Sequence, residues 1–148
     1  MAKGSEMELT AKQLDFLQKH HSAAMITIGR DGTPKAVRVG VALVDGKIWS
    51  SGTTDRVRTR TLRRDPRSTL FVFDERHAFL TIEATVTLLE GQDAPAANLR
   101  LFRVMQNRAS GPLLWYGQEL DEDAFLHRMA EEGRLVYEFA PTRAYGLA

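Results

Sequence analysis

Two Asp-Gly pairs, Asp31-Gly32 and Asp45-Gly46, each separate runs of apolar and β-branched residues, and they constrain this chain more than any other feature. Aspartate and glycine tolerate the positive φ of a tight hairpin turn, so the flanking runs are predicted to pair antiparallel. Those runs are 23–29, 35–44 and 47–52, read together as a three-stranded meander. Residues 68–73, 79–89 and 135–139 continue the strand pattern, the second being long and rich in Thr, Ile and Val.

Helical segments fall between them. Thr10-Ala11-Lys12-Gln13 has the form of a capping box and predicts a helix over 10–20, with Ala11, Leu14 and Leu17 on one face and Phe16 to the side. Thr53 or Thr54 is expected to cap a second helix that stops before Asp65-Pro66. Asp93 opens a third through Met105, with Pro95 tolerated in the first turn. Residues 107–117 read as a loop carrying Trp115 and Tyr116, and Asp121 caps an acidic helix ended by Gly133. The expectation is six strands and about four helices. Strands clustered in hairpins predict a mainly β, α+β fold, a small antiparallel barrel with added helices over residues 1–148 as one domain.

Composition narrows the function. With 148 residues, 43% hydrophobic and 26% charged, the chain has the balance of a globular protein. It has no cysteine, which excludes disulfides, thiolate metal sites and cysteine nucleophiles. No apolar run is long enough to span a membrane. Met1–Glu6 lacks the apolar stretch of a secretory signal, so a cytoplasmic protein is expected. No Gly-x-Ser-x-Gly, Gly-x-Gly-x-x-Gly or Walker A pattern occurs. His20, His21, His77 and His127 have no metal-ligand spacing, so no metal site is expected, and haem is a poor fit.

Charge is unevenly distributed within a net of +1. Six arginines (Arg56, Arg58, Arg60, Arg63, Arg64 and Arg67) fall between Thr54 and Arg67 with only Asp55 and Asp65 to oppose them. On a helix, Arg56, Arg60, Arg63 and Arg64 share one side, and Arg58 sits among Val57, Thr61 and Leu62 on the other. An arginine on an apolar side needs an anionic or carbonyl partner, and free N–H groups at the helix entry would add to a phosphate site. Two other readings stay open. The arginines solvate an exposed helix and pair with Asp55, Asp65 and the acids of 119–132, or they contact nucleic acid, which the near-neutral total charge disfavours.

From the opening helix through the Asp-Gly turn before Thr33-Pro34 to Arg-x-Arg-Thr-x-x-Leu-Arg-Arg-Asp-Pro-Arg at Arg56–Arg67, the sequence resembles the pyridoxamine-5′-phosphate-oxidase-like split β-barrel superfamily. Within it, the chain is most similar to the branch that uses the deazaflavin coenzyme F420. The likeness runs from about Leu9 to Gly146 and includes Ala144-Tyr145-Gly146-Leu147.

That resemblance implies an FMN-binding-like split barrel and a homodimer with cofactor sites at the subunit interface, acting on a small-molecule substrate without nucleic acid or membrane. It implies that Arg56, Arg58 and Thr59 hold the cofactor phosphate. Lys35, Val37 and Arg38 would face the ring system, with Ser50, Ser51 and Gly52 beneath it. His77 stands where some relatives bring an aromatic residue from the partner subunit. Flavin mononucleotide ends in one phosphate, whereas the F420 tail continues into several carboxylates. An arginine stripe extended by Arg60 and Arg63 therefore suits F420, with flavin mononucleotide as the alternative. The expected activity is hydride transfer from the reduced deazaflavin to an unidentified acceptor; a non-catalytic cofactor or ligand carrier is a further possibility. Tyr145, His77 and Arg38 are the candidate proton donors, and Trp115 and Tyr116 are candidates to line a substrate pocket or to cover the barrel end.

Overall fold

The computed structural model describes residues 7–147, so Met1–Glu6 lies outside the described residues. Helix α1 (Ala11–Lys19) begins with the expected capping box, in which the Thr10 hydroxyl accepts from the Gln13 amide and Gln13 reciprocates. Its buried residues are Phe16 and Leu17, so Phe16 turns into the core instead of standing aside. Leu14, Phe16 and Leu17 together point the helix at the barrel, while Ala11 stays exposed.

Seven strands form one antiparallel sheet in the order β2-β1-β5-β6-β9-β4-β3. β1 (Ser22–Ile28) and β2 (Pro34–Gly40) make the first hairpin, and β3 (Ala42–Val44) and β4 (Lys47–Thr53) make the second. The predicted meander is corrected here. The run 35–44 breaks at Val41, so its halves lie at opposite edges of the sheet. The Val41 amide donates to the His21 carbonyl at 2.8 Å, and this corner carries the chain across as the sheet curls into a half-barrel. The two Asp-Gly turns are real. Gly32 has φ 82°, and Asp45 and Gly46 have φ 50° and 76°.

β5 (Arg67–Phe73) and β6 (Phe79–Leu89) pair as a hairpin, and β9 (Arg134–Gly146) lies between β6 and β4. β9 extends well beyond the predicted 135–139. It passes Pro141 because a bulge opposite Glu83/Ala84 removes the need for a ladder donor there. Alternate residues point inward, and Met25, Leu70, Leu80, Ile82, Leu135, Tyr137 and Phe139 fill the barrel with Leu17 and Leu62.

Helix α2 (Val57–Arg64) starts later than predicted. Arg56 occupies the N-cap and, having no acceptor, makes no side-chain capping bond, while Thr53, a predicted cap, donates its hydroxyl to Asp55. Thr59, Thr61 and Leu62 face inward, whereas Val57 is exposed, opposite to its predicted side. Beyond the barrel, α3 (Ala94–Met105), a hairpin of β7 (Leu113–Trp115) and β8 (Gln118–Leu120), and α4 (Glu122–Glu131) enclose a second core of Leu113, Trp115, Phe125 and Met129. The predicted 107–117 loop thus contains a strand, and nine strands replace six among the described residues. Asp121 caps α4 as expected, accepting from the Ala124 amide at 2.8 Å. No helix among the described residues is long and apolar enough to cross a membrane.

Candidate functional site

The chain leaves β4 at Thr53 and enters α2 after three intervening residues, and this short connection fixes the site. The Thr59 hydroxyl donates to the Thr53 carbonyl at 2.7 Å, so the buried Tyr137 hydroxyl donates to Thr59 Oγ1 at 2.5 Å. Gly52 makes room for Tyr137, since a Cβ there would overlap the tyrosine ring and hydroxyl. Thr59, Gly52 and Tyr137 therefore form a packed floor. The Arg58 guanidinium lies 5.6 Å above the Tyr137 ring.

Arg56 and Arg58 rise from this floor into a cavity of about 360 Å³. Arg38 and Gly40 of β2 and Ser51 of β4 form one side, and Arg134 of β9 joins them. Phe102 and Met105 of α3, with Trp115 and Tyr116 from the β7–β8 hairpin, form the apolar side. The Nε atoms of Arg56 and Arg58 are buried and have no hydrogen-bond partner among the described residues. Burial is the main influence lowering the Arg58 pKa from its usual value. The Tyr137 interaction opposes it, and the charges of Arg56 and Arg134 add to the lowering. Arginine side chains gathered in one cavity are stabilised by an anion placed among them. A larger hollow of about 660 Å³ lies against β1, β5 and β6, but its arginine, Arg67, commits both Nε and Nη2 to Asp65 at 3.0 and 2.8 Å. The smaller cavity is the better anion site on these grounds.

The structure brings together Arg38, Ser51, Arg56 and Arg58 of the sequence candidates. Ser51 is held by the buried Asn98, with its hydroxyl donating to Asn98 Oδ1 at 2.6 Å. Ser50 is turned away and donates to the Gly40 carbonyl at 2.7 Å. Thr59 is fully buried, with its hydroxyl engaged in the floor. Arg60 Nη1 donates to the Asp55 carbonyl at 2.7 Å, and Arg63 makes a bidentate pair with Glu90 at 2.8 and 2.7 Å. Neither extends the cavity wall. Lys35 and Val37 are exposed on edge strand β2 outside the cavity lining. His77 lies in the exposed connection between β5 and β6, and Tyr145 is on β9 with the Arg143 guanidinium 5.5 Å above its ring. Of the three proton-donor candidates, only Arg38 lines the cavity.

Sequence reasoning missed Arg134, Phe102 and Met105 as lining residues. Arg134 is opposite Thr53 in the β4–β9 register, a pairing between segments eighty residues apart that no local pattern encodes. Its signal is weak: one base directly after Glu131-Glu132-Gly133.

Comparison with known proteins gives the fold its lineage. Residues 9–146 match the pyridoxamine 5′-phosphate oxidase family. The chain belongs to that family. No curated protein matches it. Among solved structures, a conserved hypothetical protein of Mycobacterium tuberculosis superposes with TM-score 0.71 at 22% identity, covering 99% of this chain and 88% of that one. A structure described as an F420 reductase superposes with TM-score 0.66 at 18% identity, covering 88% of this chain and 94% of its own. The heme storage protein of Vibrio cholerae superposes with TM-score 0.64 at 13% identity, covering 95% of each chain. At these identities the likeness is one of fold.

The pyridoxamine 5′-phosphate oxidase family includes oxidoreductases that bind flavins. The residues present fit a phosphate-bearing group of this kind. Arg56 and Arg58 both line one cavity and keep a buried Nε without a partner among the described residues, and guanidinium donors match the oxygens of a phosphate.

Proposed function

We propose that this protein is an oxidoreductase that binds coenzyme F420 and reduces a small-molecule acceptor. The supporting observation is the arginine-walled cavity, in which Arg56 and Arg58 present buried, unpartnered Nε atoms. Arg56 and Arg58 clamp the cofactor phosphate, with Tyr137 holding Arg58 in place from below. Arg38 continues the positive wall toward the carboxylate tail. Phe102, Met105 and Trp115 exclude water from the opposite side. When bound in its reduced form, the deazaflavin supplies a hydride, two electrons and one proton, to the acceptor.

Flavin mononucleotide is the second reading, and one observation favours it. With Arg60 and Arg63 engaged by Asp55 and Glu90, fewer cations remain for a long anionic tail. We also propose a homodimer. Phe71, Phe73 and Phe79 stack on one another with centroids 6.0 and 5.2 Å apart while remaining more than a third exposed, and such an aromatic cluster suits burial against a second copy.

The test is a fluorescence titration with oxidised F420 beside flavin mononucleotide, preceded by the visible spectrum of the purified protein. Saturable F420 binding with weak flavin binding is expected, and Arg58→Ala should weaken it by about 1.5–3 kcal/mol. A yellow protein or tighter flavin binding transfers the assignment to flavin mononucleotide. Binding to neither overturns it.

A further inference from the structure

The β7–β8 hairpin turns on Tyr116 and Gly117, both at positive φ, 47° and 81°. Glycine suits such a turn, but a tyrosine in the left-handed region is strained. Tyr116 is also 82% exposed, so burial does not offset that strain. Its ring stands edge-on to Trp115 at 5.1 Å, and both residues line the arginine cavity.

Trp115 in turn orients Arg134. The Arg134 guanidinium lies 4.9 Å over the indole, and its Nε donates to Glu132 Oε1 at 2.9 Å. The other Glu132 oxygen accepts from Trp115 Nε1 at 3.0 Å. This closed set of contacts uses one of the five Arg134 donors. The side chain is only 8% exposed, yet its terminal nitrogens make no hydrogen bond among the described residues. A guanidinium held through Nε with its terminal nitrogens free matches a carboxylate. The adjacent Glu132 charge repels a dianion more than a monoanion, which disfavours a second phosphate here.

We propose that Arg134, Trp115, Tyr116 and Phe102 form an acceptor subsite for a planar conjugated carboxylic acid. Arg134 takes the carboxylate, and Tyr116 and Phe102 cover the conjugated face. The inference rests on the cofactor reading above only in reserving Arg56 and Arg58 for the cofactor phosphate.

Calorimetric titration of the F420-loaded protein with trans-cinnamate and with uncharged cinnamide tests it. Cinnamate should bind at least about tenfold more tightly than cinnamide. Arg134→Gln should bring the two within about twofold while leaving F420 affinity within about threefold. Tyr116→Ala, at an exposed position, should weaken both probes alike and preserve their ratio, and it serves if Arg134→Gln does not fold. Equal affinities in the unmodified protein overturn the subsite. So does an Arg134→Gln variant that loses F420 as strongly as cinnamate, since Arg134 would then serve the cofactor. Should the protein fail to bind F420 yet still prefer cinnamate, the cofactor reading falls and the subsite stands.

Discussion

Gly52→Ala separates two roles for the strand that ends at the site. A Cβ at this position would overlap the Tyr137 hydroxyl and ring and approach Cε2 to 2.6 Å, so one of them must move by about 1 Å. Tyr137 has little freedom, being fully buried with its hydroxyl on Thr59 and Thr59 in turn on the Thr53 carbonyl. Overpacking of this kind costs about 1–3 kcal/mol, and loss of the Tyr137–Thr59 hydrogen bond adds about 1 kcal/mol. The expected destabilisation is therefore about 2–4 kcal/mol by urea denaturation, or roughly 5–15 °C in Tm for a chain of this size. Tyr137→Leu in the same chain removes the overlapping ring, so the double variant should be about 1–2 kcal/mol more stable than the two single effects predict. If Gly52 were instead the approach surface for a cofactor ring, Gly52→Ala would weaken cofactor binding with stability intact. A loss below about 0.5 kcal/mol refutes the packing account.

Other variants probe the cavity and its supports. Inorganic phosphate at ten times its dissociation constant should stabilise the protein by about 1.4 kcal/mol, seen as a Tm rise that Arg56→Ala and Arg58→Ala abolish. Ser51→Ala leaves the buried Asn98 Oδ1 without its 2.6 Å donor and should cost about 1–3 kcal/mol in chemical denaturation. Arg63→Ala breaks an exposed pair with Glu90, so stability should fall by at most about 1 kcal/mol and F420 affinity should hold. Asp65 and Glu90 are held below their ordinary values of 3.8 and 4.5, chiefly by hydrogen bonds from Arg67 and Arg63. Carboxyls lowered by folding contribute fully above their unfolded values, so stability should be level near neutrality and decline as the pH falls below about 4. A decline that begins above pH 6 would contradict this.

The features readable from sequence were those with a local cause. The Thr10–Gln13 box, the Asp-Gly turns and the Asp121 cap each depend on residues within four positions, and each appears as expected. The break at Val41 could not be read, because 35–44 is evenly β-forming and only the closing curl of the sheet divides it. Helix periodicity grouped Arg58 correctly with the inward face but misplaced Val57, whose first-turn position leaves it outside the packing. Arg38, Ser51, Arg56 and Arg58, candidates through the family resemblance, do line one cavity. Arg134 depends on the pairing of two distant strands, and Arg60 and Arg63 depend on which acceptors lie nearby.

The position of β9 in the sheet has a kinetic consequence. β2, β1, β5 and β6 can assemble from chain neighbours, but β4 and β3 attach to that half through β9, which is made last of the nine strands. The Thr53–Arg134 pairing therefore closes one of the longest loops in the fold, and long-range closure slows folding. On the ribosome, the β3–β4 hairpin and the arginines that follow it must wait for β9 to emerge. The cationic cavity, with Arg134 at the start of that strand, cannot be complete before β9 pairs with β4.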